Sequence, residues 1–232
     1  MEAQGVALPE LAARPRPSWP GAVLAFCRAK PLGAAGAVLL GGLVLVAVLA
    51  PLLAPYDPFE MRRRQTFLPP GQGFVLGTDN MGRDVLSRVI WGSRLSFLVG
   101  VLSVVLGTAV GALLGLVSGY FGGLTDLAIQ RFLDALMAFP MLVLALMVVA
   151  VLGPSAGNII IAIAIILLPQ AARVVRSSVL SIKAQEYITA AQAMGAGHGR
   201  ILWRHVLPNA LAPYIVVATT ALAWAIIVEA SL

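Results

Sequence analysis

Apolar positions gather into five long runs separated by polar stretches: Leu32 to Ala54, Leu95 to Ser118, about Ala128 to Leu152, about Gly157 to Val175, and Pro213 to Leu232. Each approaches or exceeds the ~20 residues that a helix needs to cross a bilayer. The first run is longer than a signal-peptide core of roughly 7 to 15 residues, so it reads as an uncleaved span. Pro169 and Gln170 interrupt the fourth run, and Arg173 and Arg176 stand at its end. Membrane helices tolerate proline where neighbours satisfy the freed carbonyl, and arginines can snorkel to the interface, so a kinked span is expected there. Residues 1–31, rich in proline and arginine without apolar periodicity, read as a mobile N-terminal tail ahead of a transmembrane domain over 32–232.

Composition agrees with the pattern. Of 232 residues, 59% are hydrophobic and 11% charged, against roughly 45 to 50% and about 25% in soluble domains. A mean hydropathy of +0.93 completes the case for an all-α, polytopic integral membrane protein and against a soluble enzyme. The net charge of +6 does not point to nucleic acid, because most basic residues flank apolar runs and serve to orient them. With the N-terminus inside, the spans place 55–94 outside and 176–212 inside. Ten Lys and Arg then lie inside: Arg14, Arg16, Arg28, Lys30, Arg131, Arg173, Arg176, Lys183, Arg200 and Arg204. The external loop 55–94 nonetheless holds six arginines, at 62, 63, 64, 83, 88 and 94, against the usual bias. Cys27 is the sole cysteine, which excludes an intrachain disulfide or a cysteine metal cluster.

Two features inside the chain suggest packing and docking. Gly107, Gly111 and Gly115 recur every fourth residue, a stripe for close helix packing within the subunit or against a partner. Between the last two spans lies a polar island over 177–209. Leu180, Ala184, Tyr187, Ile188, Ala191 and Met194 give it one apolar helical face. Gly195, Gly197 and Gly199 then form a turn, and Ile201, Leu202, Val206 and Leu207 open a second short helix limited by Pro208. The small residues around Ala190 to Ala196 suit a knob that enters a groove. An amphipathic helix lying on the membrane is the alternative.

The ionisable residues in or beside spans are few. Arg131 and Asp134, three apart, are expected to neutralise each other. Glu229 lies ~24 Å beyond Pro213 along the last helix, where it lines the outer mouth of a pathway or simply reaches headgroup water. No GxxxxGK(S/T) loop, no HExxH and no buried nucleophile–base set occurs, so no catalytic residue, metal site or nucleotide site is expected on this chain. A channel or secondary transporter would show embedded charges or an inverted repeat, and neither is visible.

The stretch Glu186 to Pro208 resembles the EAA loop of permease subunits of binding-protein-dependent ABC importers. Its consensus is EAA, three residues, Gly, nine residues, Ile, one residue, then Leu-Pro. Ala190, Ala191, Gly195, Leu207 and Pro208 fall in register, whereas Thr189 replaces the glutamate and His205 the isoleucine. The segment LGTDNMGRDVLSRVIWGSRLSFLVG, Leu76 to Gly100, further resembles the C-type permease subunits of dipeptide, oligopeptide and nickel importers. The resemblance implies a permease of a bacterial or archaeal inner membrane, with a second permease subunit, two cytoplasmic ATPase subunits that carry ATP and Mg, and an external substrate-binding protein as partners. It implies ATPase docking by Glu186, Tyr187, Thr189, Ala190, Ala191, Gly195, Ala196, Gly197, Leu207 and Pro208. Dipeptides or oligopeptides are the expected substrates, with nickel or another small solute as the alternative. Family members continue past the equivalent of Leu232 into a sixth span, so the chain is expected to lack one, which keeps a non-transporting membrane anchor in play.

Overall fold

The computed structural model describes residues 19–71 and 73–232, and within these it is helical. Most of the expected N-terminal tail lies outside the described residues. Its last part is a helix, α1 (Trp19–Ala29), where an irregular tail is expected. Pro20 sits in the first turn of α1, where a missing N–H costs no hydrogen bond. Cys27 is exposed on it. Helix α2 (Pro31–Val48) carries the first apolar run and breaks at Leu49 before the one-turn α3 (Ala50–Leu53), which has Pro51 in its first turn.

The second run lies in α4 (Val85–Phe121), 37 residues and therefore ~55 Å long, well over the ~30 Å of a hydrocarbon core. Asp84 caps it: one carboxylate oxygen accepts from the Ser87 N–H at 2.8 Å and from the Ser87 hydroxyl at 2.6 Å. The third run does not form one helix over 128–152. It divides into α5 (Gly123–Met137) and α6 (Met141–Leu152), bent by 88°. Pro140 explains the break, since the ring forces the preceding residue away from helical geometry and supplies no N–H. The fourth run continues through Pro169 as α7 (Ala156–Lys183), two turns beyond the expected end at Val175. After a short connecting segment the chain returns as α10 (Leu207–Glu229).

Glycine registers α4 against α7. A Cβ on Gly107 would stand 2.5 Å from the Ala164 carbonyl oxygen and one on Gly111 2.6 Å from that of Leu168, while Gly115 faces the Ala172 oxygen and Gly119 that of Arg176. Both helices advance by four at each contact, so they run parallel in backbone contact for about 18 Å. Parallel neighbours require the intervening α5 and α6 to return the chain across the membrane once between them, so the bent pair is a single pass. Helix α10 runs antiparallel to α4: the Thr108 hydroxyl meets Tyr214 at 3.2 Å, and Gly100 faces Ile226. Val99, Ala145, Ile163, Leu167, Ala221 and Ala225 fill the core between α4, α6, α7 and α10.

This arrangement puts the loop before α4 and the segment after α7 at opposite ends of the bundle. The loop, over 55–84, is compact although no strand occurs among the described residues. Tyr56 and Phe74 stack at 5.2 Å, and the Arg62 guanidinium lies 4.4 Å above the Tyr56 ring. Asp79 holds Arg83 at 2.8 Å and also binds Arg88. Thr78 bridges Asp84 as an isolated antiparallel pair.

Candidate functional site

At the end of the bundle where α4 and α7 finish, the chain builds a knob from α8 (Glu186–Ala193), a turn, α9 (His198–Ile201) and a π-helical segment, Leu202–Val206, that leads into α10. Residues 180–194 do not form one continuous helix, because α7 ends at Lys183 and α8 starts afresh after Gln185. Pro208 does not limit the second helix either. A proline ring in a regular α-helix collides with the carbonyl four residues earlier, here that of Arg204. The Leu207 N–H instead reaches back five residues to Leu202, and the widened turn carries the helix past Pro208 to Glu229.

The knob is seated on an apolar floor. Ile188, Ile201 and Val206 are buried with Val175 and Val179 of α7 and Tyr120 of α4. Gly195 closes α8 at φ +79°, a left-handed conformation that side chains other than Gly and Asn resist. There the Ala196 N–H donates to Ala191 O at 3.0 Å and the Gly195 N–H to Gln192 O at 2.9 Å, a Schellman closure. A polar contact clamps the knob to the bundle: the Tyr120 hydroxyl lies 2.9 Å from His198 Nδ1. Beneath it, Lys183 Nζ at the end of α7 donates to the Tyr120 carbonyl oxygen at 2.7 Å and ties α7 to α4.

The expected docking residues divide between two surfaces. Glu186, Tyr187, Thr189, Ala190, Gly195 and Gly197 are exposed, whereas Ala191 is turned into the floor and Ala196 packs against it. Leu207 and Pro208 lie apart from the tip, at the foot of α10, half-buried and exposed respectively. The expected single apolar face is split: Ile188 and Ala191 point inward, and Tyr187 and Met194 point out, Met194 at 83% exposure. Trp203, 70% exposed in the π-helical segment, was not singled out by sequence pattern. Neither were Tyr120 and His198, whose contact spans 78 residues of chain and leaves no local signal.

Behind the knob, two ion pairs tie α5 to α7. Arg176 grips Asp126 through Nε at 2.7 Å and Nη2 at 2.5 Å, and the Ser118 hydroxyl donates to the same carboxylate. Asp134 pairs with Arg173 at 2.6 Å, not with Arg131 as its sequence spacing suggests. The bend between α5 and α6 opens a cavity of about 480 Å³ against α7, lined by Met137, Phe139, Met141, Pro169, Gln170 and Arg173. Gly107, Gly111 and Gly115 are spent on the α4–α7 contact. Glu229, half-buried near the end of α10, sits at the opposite end of the bundle from the knob. Among the described residues no cluster of three His, Cys, Asp or Glu is placed to hold a metal ion.

Two family models match the sequence. Residues 111–232 match the binding-protein-dependent transport system inner membrane component, and residues 23–70 match the N-terminal TM domain of oligopeptide transport permease C. The chain is 40% identical over 203 residues to a dipeptide transport system permease protein of Haemophilus influenzae, covering 85% of this chain and 69% of that one. It is 41% identical to the corresponding protein of Alkalihalophilus pseudofirmus, covering 87% and 66%. With a di/tripeptide transport system permease protein of Pseudomonas aeruginosa it shares 44% identity, covering 83% and 68%. The chain thus spans about two thirds of the length of these relatives.

Proposed function

The chain belongs to the family of binding-protein-dependent transport system inner membrane components, and from that membership we propose that it is a permease subunit of an ATP-driven importer of dipeptides or oligopeptides. The observation that carries the peptide reading is the 40 to 44% identity with permeases of dipeptide and di/tripeptide transport. In this reading a second permease subunit completes the pathway, an external binding protein delivers the peptide, and two cytoplasmic ATPase subunits bind ATP and Mg. This chain binds no nucleotide and catalyses no reaction itself.

The knob is the coupling element. Its exposed tip, with Glu186, Tyr187, Thr189, Ala190, Gly195 and Gly197, enters a groove of the ATPase, and Met194 and Trp203 add apolar area that a partner would cover. Ala191 and Ala196 support it from beneath. Because the floor of the knob is α7 and the end of α4, a displacement of the tip moves α7 as a body. Pro169 and Gln170 of α7 line the cavity at the α5–α6 bend, so that motion changes access to the cavity. The knob end faces the cytoplasm, the N-terminus lies inside, and Glu229 stands near the outer mouth.

The test is uptake in a strain deleted for this subunit and complemented with its gene. Restored uptake of a labelled dipeptide supports the reading. Restored uptake of nickel ion alone reassigns the substrate, and co-purifying ATPases without uptake of either would make the subunit an anchor.

A further inference from the structure

At the end of the bundle opposite the knob, the first four turns of α4 and the loop before them line an open cavity of about 520 Å³. Its walls change character along the helix. Arg83 and Arg88 stand at the start, Trp91 and Arg94 follow, and Leu95 and Leu98 continue along the same face, with Phe59 of the loop opposite. From Arg88 to Leu98 the helix rises about 15 Å, enough to pass from a headgroup layer into the acyl region. Trp91 marks the boundary, as aromatic residues do at membrane interfaces.

Three of the six arginines that the orientation bias disfavours, Arg83, Arg88 and Arg94, line this cavity. Asp79 binds both Arg83 and Arg88, so one of those two positive charges is left over. Arg94 lies 5.7 Å above the Trp91 ring and has no carboxylate partner among the described residues. Three guanidiniums against one carboxylate leave a surplus of two positive charges over an apolar wall. A peptide partner helix would leave this surplus charge uncompensated inside a membrane interface; a lipid phosphate with its acyl chains satisfies both halves of the cavity.

We propose that this cavity is a binding site for an anionic phospholipid, its phosphate held by Arg88 and Arg94 with Arg83 behind, and an acyl chain lying along Trp91, Leu95 and Leu98. The bound lipid would fix the loop over 55–84 to the membrane surface and so set the angle at which α4 enters.

The test is photo-crosslinking with the assembled transporter in nanodiscs, using phosphatidylglycerol or phosphatidylcholine that carries a photoreactive acyl chain, followed by peptide mapping. Phosphatidylglycerol should label the Leu95–Leu98 segment about fivefold more than phosphatidylcholine at equal mole fraction, the ratio that ~1 kcal/mol from Arg94, the guanidinium without a carboxylate partner, gives. Arg94→Gln should bring the ratio close to one, and Arg94→Lys should keep most of it. Inorganic phosphate should not compete. Equal labelling by the two lipids, competition by inorganic phosphate, or protection of the segment by a protein subunit would each overturn the proposal.

Discussion

The Tyr120 hydroxyl at the end of α4 lies 2.9 Å from Nδ1 of His198 at the start of α9, and this contact joins the bundle to the knob across 78 residues of sequence. Tyr120 itself is 4% exposed, its ring edge-on to His198 at 5.7 Å. Tyr120→Phe keeps the ring packing and removes the hydrogen bond, at a cost of about 1 kcal/mol. Amide exchange over 198–206 should therefore speed up about fivefold, with membrane insertion unchanged. If the knob couples to an ATPase as proposed, peptide uptake per ATP hydrolysed should also fall, since a loosened knob would pass on less motion. Unchanged exchange in the variant would remove the clamp from the argument.

Helix contact predicts opposite signs for two glycines on α4. At Gly115 a methyl group would run into the Ala172 carbonyl oxygen and come within 3.0 Å of the Arg176 nitrogen, both backbone atoms that cannot step aside. Gly115→Ala should cost about 1–3 kcal/mol and lower the melting temperature of the detergent-solubilised protein. Gly92, on the same helix, has nothing within 4 Å of its would-be Cβ. Gly92→Ala should stabilise slightly, by about 0.5–1 kcal/mol, because alanine loses less entropy in a helix. Equal effects at the two positions would mean that the α4–α7 contact is looser than its spacing implies.

The loop over 55–84 has its own acid limit. Burial works to raise the Asp79 carboxyl, but the backbone N–H groups of Arg83 and Met81 and the Arg83 guanidinium outweigh it and lower the pKa to about 2. A carboxyl depressed in the folded state stabilises above its unfolded value near 4 and loses that contribution as pH falls toward 2. Pepsin cleavage within the loop over 55–84, with the protease acting at each acid pH, should stay slow down to about pH 4 and rise below it. Asp79→Asn should cleave rapidly at every pH. A wild-type profile flat to pH 2 would show that Asp79 does not hold the loop.

What could be read from the sequence follows a physical division. Apolar runs report burial in lipid, so the crossing helices were legible from Leu32, Leu95 and Gly157 onward, as was the turn at Gly195. The 88° bend was not, because the residues on both sides of Pro140, from Ala135 to Leu152, are uniformly apolar and Pro140 acts through backbone geometry alone. Pro208 was legible as a disturbance but not as a π turn, which depends on the helix finding a partner for Leu207 five residues back. Pairings across helices were hidden as well. Asp134 has Arg131 one turn away, yet the helix packing brings Arg173 to it. Inward and outward residues of the knob could not be separated by periodicity while α7 and α8 were read as one helix, and for that reason Ala191 and Met194, placed on one face by their spacing, part: Ala191 is buried and Met194 is exposed.

Gly195 allows strain and docking to be told apart. Its φ of +79° penalises β-branched residues, but no atom lies within 4 Å of a Cβ built there, so the space itself is open. Asparagine and aspartate tolerate this conformation, and valine does not, at about 1–2 kcal/mol. Gly195→Asn and Gly195→Asp should therefore leave insertion and the amide exchange of α8 close to wild type, while Gly195→Val should raise exchange over 186–196 about fivefold or more. Uptake is expected to behave differently. A side chain on the exposed tip occupies space that the proposed ATPase groove needs, so Asn and Asp should both depress peptide uptake and weaken ATPase co-purification although the knob stays folded. If uptake tracks folding, falling only in the valine variant, Gly195 serves the Schellman turn alone and the tip is not the docking surface. If Asp alone abolishes uptake and Asn does not, charge rather than bulk decides the fit, and the groove facing Gly195 must be acidic or apolar.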